Sequence, residues 1–354
     1  MSRCATEGTR LTMLTRIAIE VCQHAERECP RTGPGRRPEI LDWVMAVFIM
    51  VALGKRKKTK AAQYRFLKEH AETLMRLMPK QRFPARSTYY ERYHRVWRLY
   101  QTAIRLQGAS AVENGWAAAD TVAADKSLIA ARGPVWHQRR GQRCRRRRGV
   151  DAEAGWAYNE HDGWVYGDSY EVVVSAGKTG VIWPLLASAD PANRSESRSF
   201  REKIPCLPRS TRYVLADRGY DADDHCEMIE WQADGHRSGR RFLCPTRRSA
   251  RGVARQEWKR SQERRRRSTH RGQRKTFLHS RRGQQRYARR GRTVEPFNAW
   301  LKTLFELEER SWHYGLANNR AQFLAAILIY QLLLRINRAH SNRNGRIKWL
   351  LDAL

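Results

Sequence analysis

An excess of 34 positive charges limits what this chain can fold into on its own. Its 354 residues carry 69 Lys plus Arg against 35 Asp plus Glu. A compact body with that imbalance repels itself unless a polyanion shares the charge. Duplex DNA or RNA is the expected partner. Hydrophobic residues make up 41%, enough for a packed core, and the length allows two domains. A basic membrane-surface protein would need an amphipathic or lipidated anchor, and none is evident. The apolar runs Trp43–Leu53 and Phe323–Leu334 hold eleven and twelve residues, short of the roughly twenty that a span needs. Both predict buried helices. The start, Met1-Ser2-Arg3-Cys4, lacks the uninterrupted apolar stretch of an export signal. The expected location is the cytoplasm, on the nucleoid, without a membrane.

Cysteines exclude another class. Cys4, Cys22, Cys29, Cys144, Cys206, Cys226 and Cys244 form no C-x-x-C pair, and their number is odd. No disulfide framework is expected. Cys22, His24 and Cys29 have a spacing that fits no common zinc site, so free thiols are expected there.

The chain divides by pattern into an N-terminal segment, 1–35, a helical region, 36–114, and an α/β region, 115–354. In the second, Leu41, Val44, Phe48 and Val51 follow helical spacing after Pro38, with Gly54 near the end. Further helices are expected over Ala61–Leu77 and Ser87–Leu106, the latter rich in Tyr and Arg. Three short basic helices suit a small DNA-contacting domain of helix-turn-helix type; a helical cap on the second region is the alternative.

After Gly115 the pattern turns to strands. Five are expected, at Trp116–Leu128, Trp164–Val174, Val181–Leu186, Tyr213–Ala216 and Arg241–Cys244. Short helices are expected at Arg198–Ile204 and Asp223–Asp234, the latter capped by Asp223 or Asp224. The alternation predicts a mixed five-stranded sheet flanked by helices. Two basic runs interrupt it. Arg139–Arg148 has seven Arg in ten residues, and 247–292 has nineteen Lys or Arg against Glu257 and Glu263. The second carries half of the charge excess. Such density predicts an element that orders on phosphate.

Three acids stand out. Asp125 follows the apolar Val122-Ala123-Ala124 and precedes Lys126-Ser127-Leu128. Asp217 follows Val214-Leu215-Ala216 and precedes Arg218-Gly219-Tyr220-Asp221. Sites in α/β sheets gather at strand ends. A lone Asp there is usually a cap or turn former, but two in matching contexts within a very basic chain point to chemistry. Asp120 competes with Asp125, and the Lys-Ser-Leu that follows favours Asp125. Glu295 opens an amphipathic helix with Thr293 as the expected N-cap and Pro296 in the first turn. Val294, Phe297, Leu301, Leu304 and Phe305 mark its apolar face. Lys302 lies two turns on from Glu295, on the same side.

These motifs resemble the DDE transposases of bacterial insertion sequences, whose catalytic core is RNase-H-like. The first family Asp lies in a segment like Ala124-Asp125-Lys126-Ser127-Leu128-Ile129-Ala130-Ala131-Arg132-Gly133, and the second in one like Leu215-Ala216-Asp217-Arg218-Gly219-Tyr220-Asp221. The family's Tyr–Arg–Glu–Lys signature corresponds to Tyr287, Arg290 or Arg292, Glu295 and Lys302. In the family Tyr precedes Glu by seven positions and Arg by four. Here position 291 is Gly, and Tyr287 stands eight before Glu295. The similarity covers about 115–340.

The resemblance implies a catalytic and metal-binding triad of Asp125, Asp217 and Glu295. Carboxylates without His or Cys partners suit Mg²⁺, or Mn²⁺ in its place. Two such ions would serve displacement at phosphorus, first by water at the transposon end and then by the freed 3′-hydroxyl on target DNA. No Walker loop occurs, as expected of an ATP-independent exchange. Lys302 and Arg290 or Arg292, with Tyr287, are the expected DNA contacts. The basic insertion before the last catalytic helix would grip terminal inverted repeats; Trp258 within it would stack on an unpaired base if a hairpin forms, with a packing Trp as the alternative. A homodimer on DNA follows from the need to hold two ends. The alternatives are a nuclease of the same fold that cuts without joining, and an inactive DNA-binding derivative.

Overall fold

The computed structural model describes residues 7–29, 38–135, 149–160, 162–178, 181–231, 236–245, 277–340, 342 and 346–354. Arg139–Arg148 and the insertion through residue 276 lie outside these, as does Trp258.

The sheet is built around β1 (Thr121–Ala130). Antiparallel to it runs β3 (Gly163–Ser175), paired from Val122↔Ser175 to Ala130↔Gly167. On the other side of β1 come β5 (Tyr213–Leu215) and β6 (Arg241–Leu243), both parallel to it. The far edge of β3 is shared. Its first five residues pair with β2 (Gly155–Asn159) and its later ones with β4 (Pro184–Pro191), both antiparallel. The sheet therefore has six strands rather than the expected five. The unforeseen strand is β2, a short ribbon bounded by Gly155, Asn159 and Gly163. Those residues read as turn formers in sequence, and pairing with β3 overrides them. β4 starts three residues later than expected. Its register slips between Val173 and Val174, and Trp183 accepts the Ser175 N–H at 2.8 Å while donating its own N–H to Ser175 Oγ at 3.0 Å.

Thirteen-residue α2 (Asp42–Gly54) is buried on every side from Trp43 to Gly54. A helix apolar all round belongs in a core. It packs with α1 (Glu7–Glu28) and α6 (Trp97–Glu113) against the 24-residue C-terminal helix α11 (Leu316–Ala339), named here after the intervening elements below. Phe323, Leu324, Ile327, Leu328 and Leu332 of α11 are fully buried. Removing one such side chain to Ala costs about 2–5 kcal/mol. The polar interruption Gln331 donates to Ile104 O at 3.0 Å and Pro184 O at 2.8 Å, so it ties α6 and β4 to the same helix. One continuous apolar cluster runs from the N-terminal helices through α11 into the sheet.

The second expected helix is two, α3 (Lys60–Glu69) and α4 (Ala71–Leu77), broken at His70. The His70 ring bonds Phe66 O at 2.9 Å, competing for the carbonyl that the helix would use. The third is also divided, into α5 (Arg86–Arg92), a 3-10 turn at Tyr93–Arg95, and α6. In the α/β region α7 spans Glu196–Arg201 and α8 spans Asp223–Glu230. The N-cap of α8 is Ala222, with no side-chain cap; Asp223 and Asp224 sit inside the first turn, where the helix dipole favours acids. Next come α9 (Arg281–Tyr287) and α10 (Val294–Leu304), and after α11 the short α12 (Lys348–Asp352). Cys22 is buried and its thiol is pushed up by desolvation; the described cysteines are free thiols. Among the described residues no helix is long and apolar enough to cross a membrane.

Candidate active site

Parallel pairing of β1 and β5 brings the two aspartates together. Ala123 faces Leu215, the last residue of β5. Asp125 and Asp217 each lie two residues further along. Side chains alternate on a strand, so both return to the same face at the same level. Asp125 is not at the end of β1, as expected; the strand continues to Ala130. What ends there is the partner β5, which leaves β1 paired only with β3.

Asp217 turns the chain away from the sheet. Its Oδ1 accepts the Gly219 backbone N–H at 2.7 Å and so caps the 3-10 turn Arg218–Tyr220. Gly219 is required for close approach. A Cβ there would lie 1.8 Å from Glu196 Oε2 and 3.0 Å from Asp217 Oδ1. This close packing introduces a fourth acid, Glu196, from the first turn of α7. Burial, and then the charge of Asp217, push the Glu196 carboxyl up to about 7.

Glu295 arrives on α10, in its first turn. Thr293 does not cap that helix with its side chain. Its hydroxyl donates to Arg289 O at 2.8 Å instead, which closes the turns between α9 and α10. Those turns carry Arg290 inward, only 13% exposed. Its Nη2 lies 2.7 Å from Asp125 Oδ1 and 3.9 Å from Asp217 Oδ2, and its Nη1 lies 2.9 Å from Glu295 Oε1. One guanidinium thus bridges all three acids. Burial works against its charge, but Asp125 and Asp217 outweigh it and hold Arg290 above its usual range. Asp125, 15% exposed on its side chain, also accepts Asn298 Nδ2 at 2.9 Å through Oδ2. Desolvation still pushes its carboxyl up to about 6, against the pull of Arg290.

Tyr287 ends α9 close by, and burial pushes its phenol up to about 12. Lys302 is half-buried on α10; burial lowers it, while Asp162 and Asp125 favour its ammonium. Arg292 is exposed. Asp120 sits at the foot of β1, where its carbonyl accepts from Arg212 and Tyr213. Asp125, Asp217, Glu295, Arg290, Tyr287 and Lys302 therefore gather in one place, and Asp120 does not join them.

A family model described as the transposase DDE domain matches residues 116–332, more than half of the chain. The chain belongs to the transposase DDE-domain family. The matched span holds all three acids of the triad and Arg290, Asn298 and Glu196 beside them. No curated protein matches it. Among solved structures, the cryo-EM structure of a piggyBac transposase synaptic complex with hairpin DNA aligns over 99% of this chain and 79% of its own. Its identity is 9% and its TM-score 0.43, too low for any residue of this DDE domain to be argued from it.

The donor set of the DDE domain suits a divalent cation. It offers hard carboxylate oxygens without thiolate or imidazole. The guanidinium shows that a positive charge is what the three acids require. Around Arg290, however, no three His, Cys, Asp or Glu among the described residues stand close enough to hold a metal ion. Glu196 and Asn298 were missed in the sequence. Each is an ordinary helical polar residue there, and only the approach of α7 and α10 to the sheet gives them a place.

Proposed function

We propose that this chain is a DNA transposase of the bacterial insertion-sequence type, cutting at transposon ends and joining them to target DNA. The observation that carries the reading is the convergence of Asp125, Asp217 and Glu295, from two strands and a helix, on one cation. The strand order supports an RNase-H-like core: β4, β3 and β1 run antiparallel, β5 and β6 follow parallel to β1, and β2 is added at the edge of β3.

Asp125, Asp217 and Glu295 would hold Mg²⁺ or Mn²⁺, as two ions. When bound, these supply charge at the scissile phosphate and lower the proton affinity of water or a 3′-hydroxyl. The chain's own residues do the rest. Asn298 fixes the Asp125 carboxylate through one oxygen and leaves the other for the cation. Gly219 N–H orients Asp217. Arg290 moves from the acids to a DNA phosphate, which offers its guanidinium a bidentate partner. Lys302 and Arg292 hold the backbone on either side, and Tyr287 supports Arg290. The helical region 36–114 and the basic insertion add non-specific contact. A homodimer would hold two terminal inverted repeats for synchronous cutting.

The test is cleavage of supercoiled plasmid carrying the terminal repeats that flank the gene, with Mg²⁺ and with chelator, for wild type and Glu295→Ala. Metal-dependent cutting at the repeats, lost in Glu295→Ala while DNA binding persists, supports the reading. One observation favours a second reading, an inactive DNA-binding derivative: Arg290 neutralises the triad by itself. Binding without cutting in either metal would select it.

A further inference from the structure

The β2–β3 hairpin carries a row of aromatic rings that the reading above leaves unused. Trp156 pairs with Tyr166, and Tyr158 pairs with Trp164, directly across the two strands. All four lie on one face, since each is two residues from its neighbour. The row is anchored at one end. Tyr166 is buried and donates its hydroxyl to Asp151 O at 2.6 Å, with the Trp156 ring 5.2 Å away. At the other end the rings are bare. Tyr158 is 61% and Trp164 69% exposed, with ring centroids 5.6 Å apart at 63°.

The turn of this hairpin leans on the triad. Glu160 is ion-paired with Arg218, the residue after Asp217. The charges of Asp162 and Asp125 both favour the Lys302 ammonium. Asn159 and Asp162 bond each other across the turn, and Gly163 takes a φ of 70° that suits glycine. The exposed pair is therefore held on a braced ribbon at the rim of the site, not on a loose loop.

We propose that Tyr158 and Trp164 form a stacking platform for an unpaired nucleobase at a DNA end seated in this site, a proposal that rests on the DNA-processing reading above. In an intact duplex both faces of every internal base are occupied. A frayed or freshly cut end presents a free face, and an exposed indole accepts any base without sequence preference. The strongly positive chain supplies the backbone attraction, so the ring pair need only capture the base. A large exposed indole is otherwise a solubility liability.

Full-length protein would be titrated with a blunt duplex and with the same duplex bearing a short single-stranded end that carries a fluorescent adenine analogue. Wild type should prefer the extended end and change the analogue's fluorescence. Trp164→Ala should lose roughly tenfold in affinity for the extended end, and none for the blunt duplex. Trp164→Phe should recover part of the loss, and Tyr158→Ala should show a smaller one. Equal binding of both probes by wild type and Trp164→Ala would overturn the platform while leaving the DNA reading intact. A change of oligomeric state in Trp164→Ala, with both affinities unaltered, would assign the rings to a contact between copies and also overturn it. If wild type bound neither probe, the DNA reading itself would fall.

Discussion

Asp125, Asp217 and Glu295 meet on a side chain, whereas Asp151, Glu153 and Asp168 meet on the first turn of α11. Two of the second group are held by backbone amides, which cannot leave, and the third by a short amide side chain. Asp151 Oδ2 accepts Gly315 N–H at 2.9 Å, and Glu153 Oε2 accepts Leu316 N–H at 2.8 Å. Asp168 Oδ2 accepts Asn319 Nδ2 at 2.7 Å. Acids at a helix N-terminus satisfy orphan amides and the helix dipole. They hold β3 and the segment before β2 to the long helix. The first group is held by Arg290, a long side chain on a turn, which can exchange for another cation. The two acidic clusters thus differ in burial, Asp151 and Asp168 being the more deeply buried, and in what neutralises them.

The largest expected effect breaks that comparison at its centre. On the proposed reading, Asp125→Asn and Asp217→Asn each remove an oxygen that would bind the metal, with its charge. Each should slow end cleavage and strand transfer by at least about a thousandfold, the equivalent of several kcal/mol. Asp151→Asn should leave the rate per folded molecule unchanged. A comparable rate loss in Asp151→Asn would show that the clusters are not distinct in function.

Next comes stability and its response to metal. Arg290→Ala leaves a buried Asp125 facing two other acids. Without metal it should lose about 3–5 kcal/mol. Added Mg²⁺ should restore part of this, so the rise in Tm on adding Mg²⁺ should exceed that of wild type. An equal rise in both proteins would argue against competition between Arg290 and metal for the same oxygens.

Part of the site is legible in the sequence. Val-Ala-Ala-Asp and Val-Leu-Ala-Asp marked two buried strands; Asp217 leaves the sheet just past the end of its strand, whereas Asp125 sits within β1, which runs on to Ala130. Helical spacing put Glu295 and Lys302 on one side of a helix, and the resemblance to the family signature singled them out. What was hidden was non-local. Gly219 stood in the sequence only as part of the Asp217 motif, yet its lack of a side chain is what admits Glu196 beside Asp217. Arg290 was read as a phosphate ligand with Arg292 as an equal candidate, and only the turns between α9 and α10 separate an inward guanidinium from an exposed one. The strand β2 was lost because its residues satisfy the rules for a loop as well as those for a ribbon, and β3 decides between them.

The third expectation concerns pH. Asp168 has no exposed surface, and burial pushes its carboxyl up to about 7, against the hydrogen bond from Asn319. A carboxyl raised on folding binds its proton more tightly in the folded state. Its contribution to stability is complete below pH about 4 and is lost as pH rises through about 7. Asp168→Asn keeps an acceptor for Asn319 and cannot ionise. It should flatten the fall in stability between pH 4 and 7 by on the order of 1 kcal/mol or more, read from urea midpoints across pH. An unchanged slope would place the ionisation elsewhere.

The smallest effect sharpens the comparison most. Glu153→Gln keeps an oxygen for Leu316 N–H but removes the charge at the helix N-terminus. The hydrogen bond should survive, and only the interaction with the helix dipole should go, at a cost of about 0.3–1 kcal/mol. That loss should shrink as salt is raised, since screening weakens partly exposed charges. Glu153→Ala removes both and should cost more, about 0.5–2 kcal/mol as for a lost cap. Neither variant should alter the Mg²⁺-induced rise in Tm, because the groups that hold this cluster do not exchange with metal. A changed Mg²⁺ response in Glu153→Gln would mean that charge at the start of α11 is felt at the triad. The two clusters would then be one coupled system carried through β3, and Arg290 would no longer be the element that sets them apart.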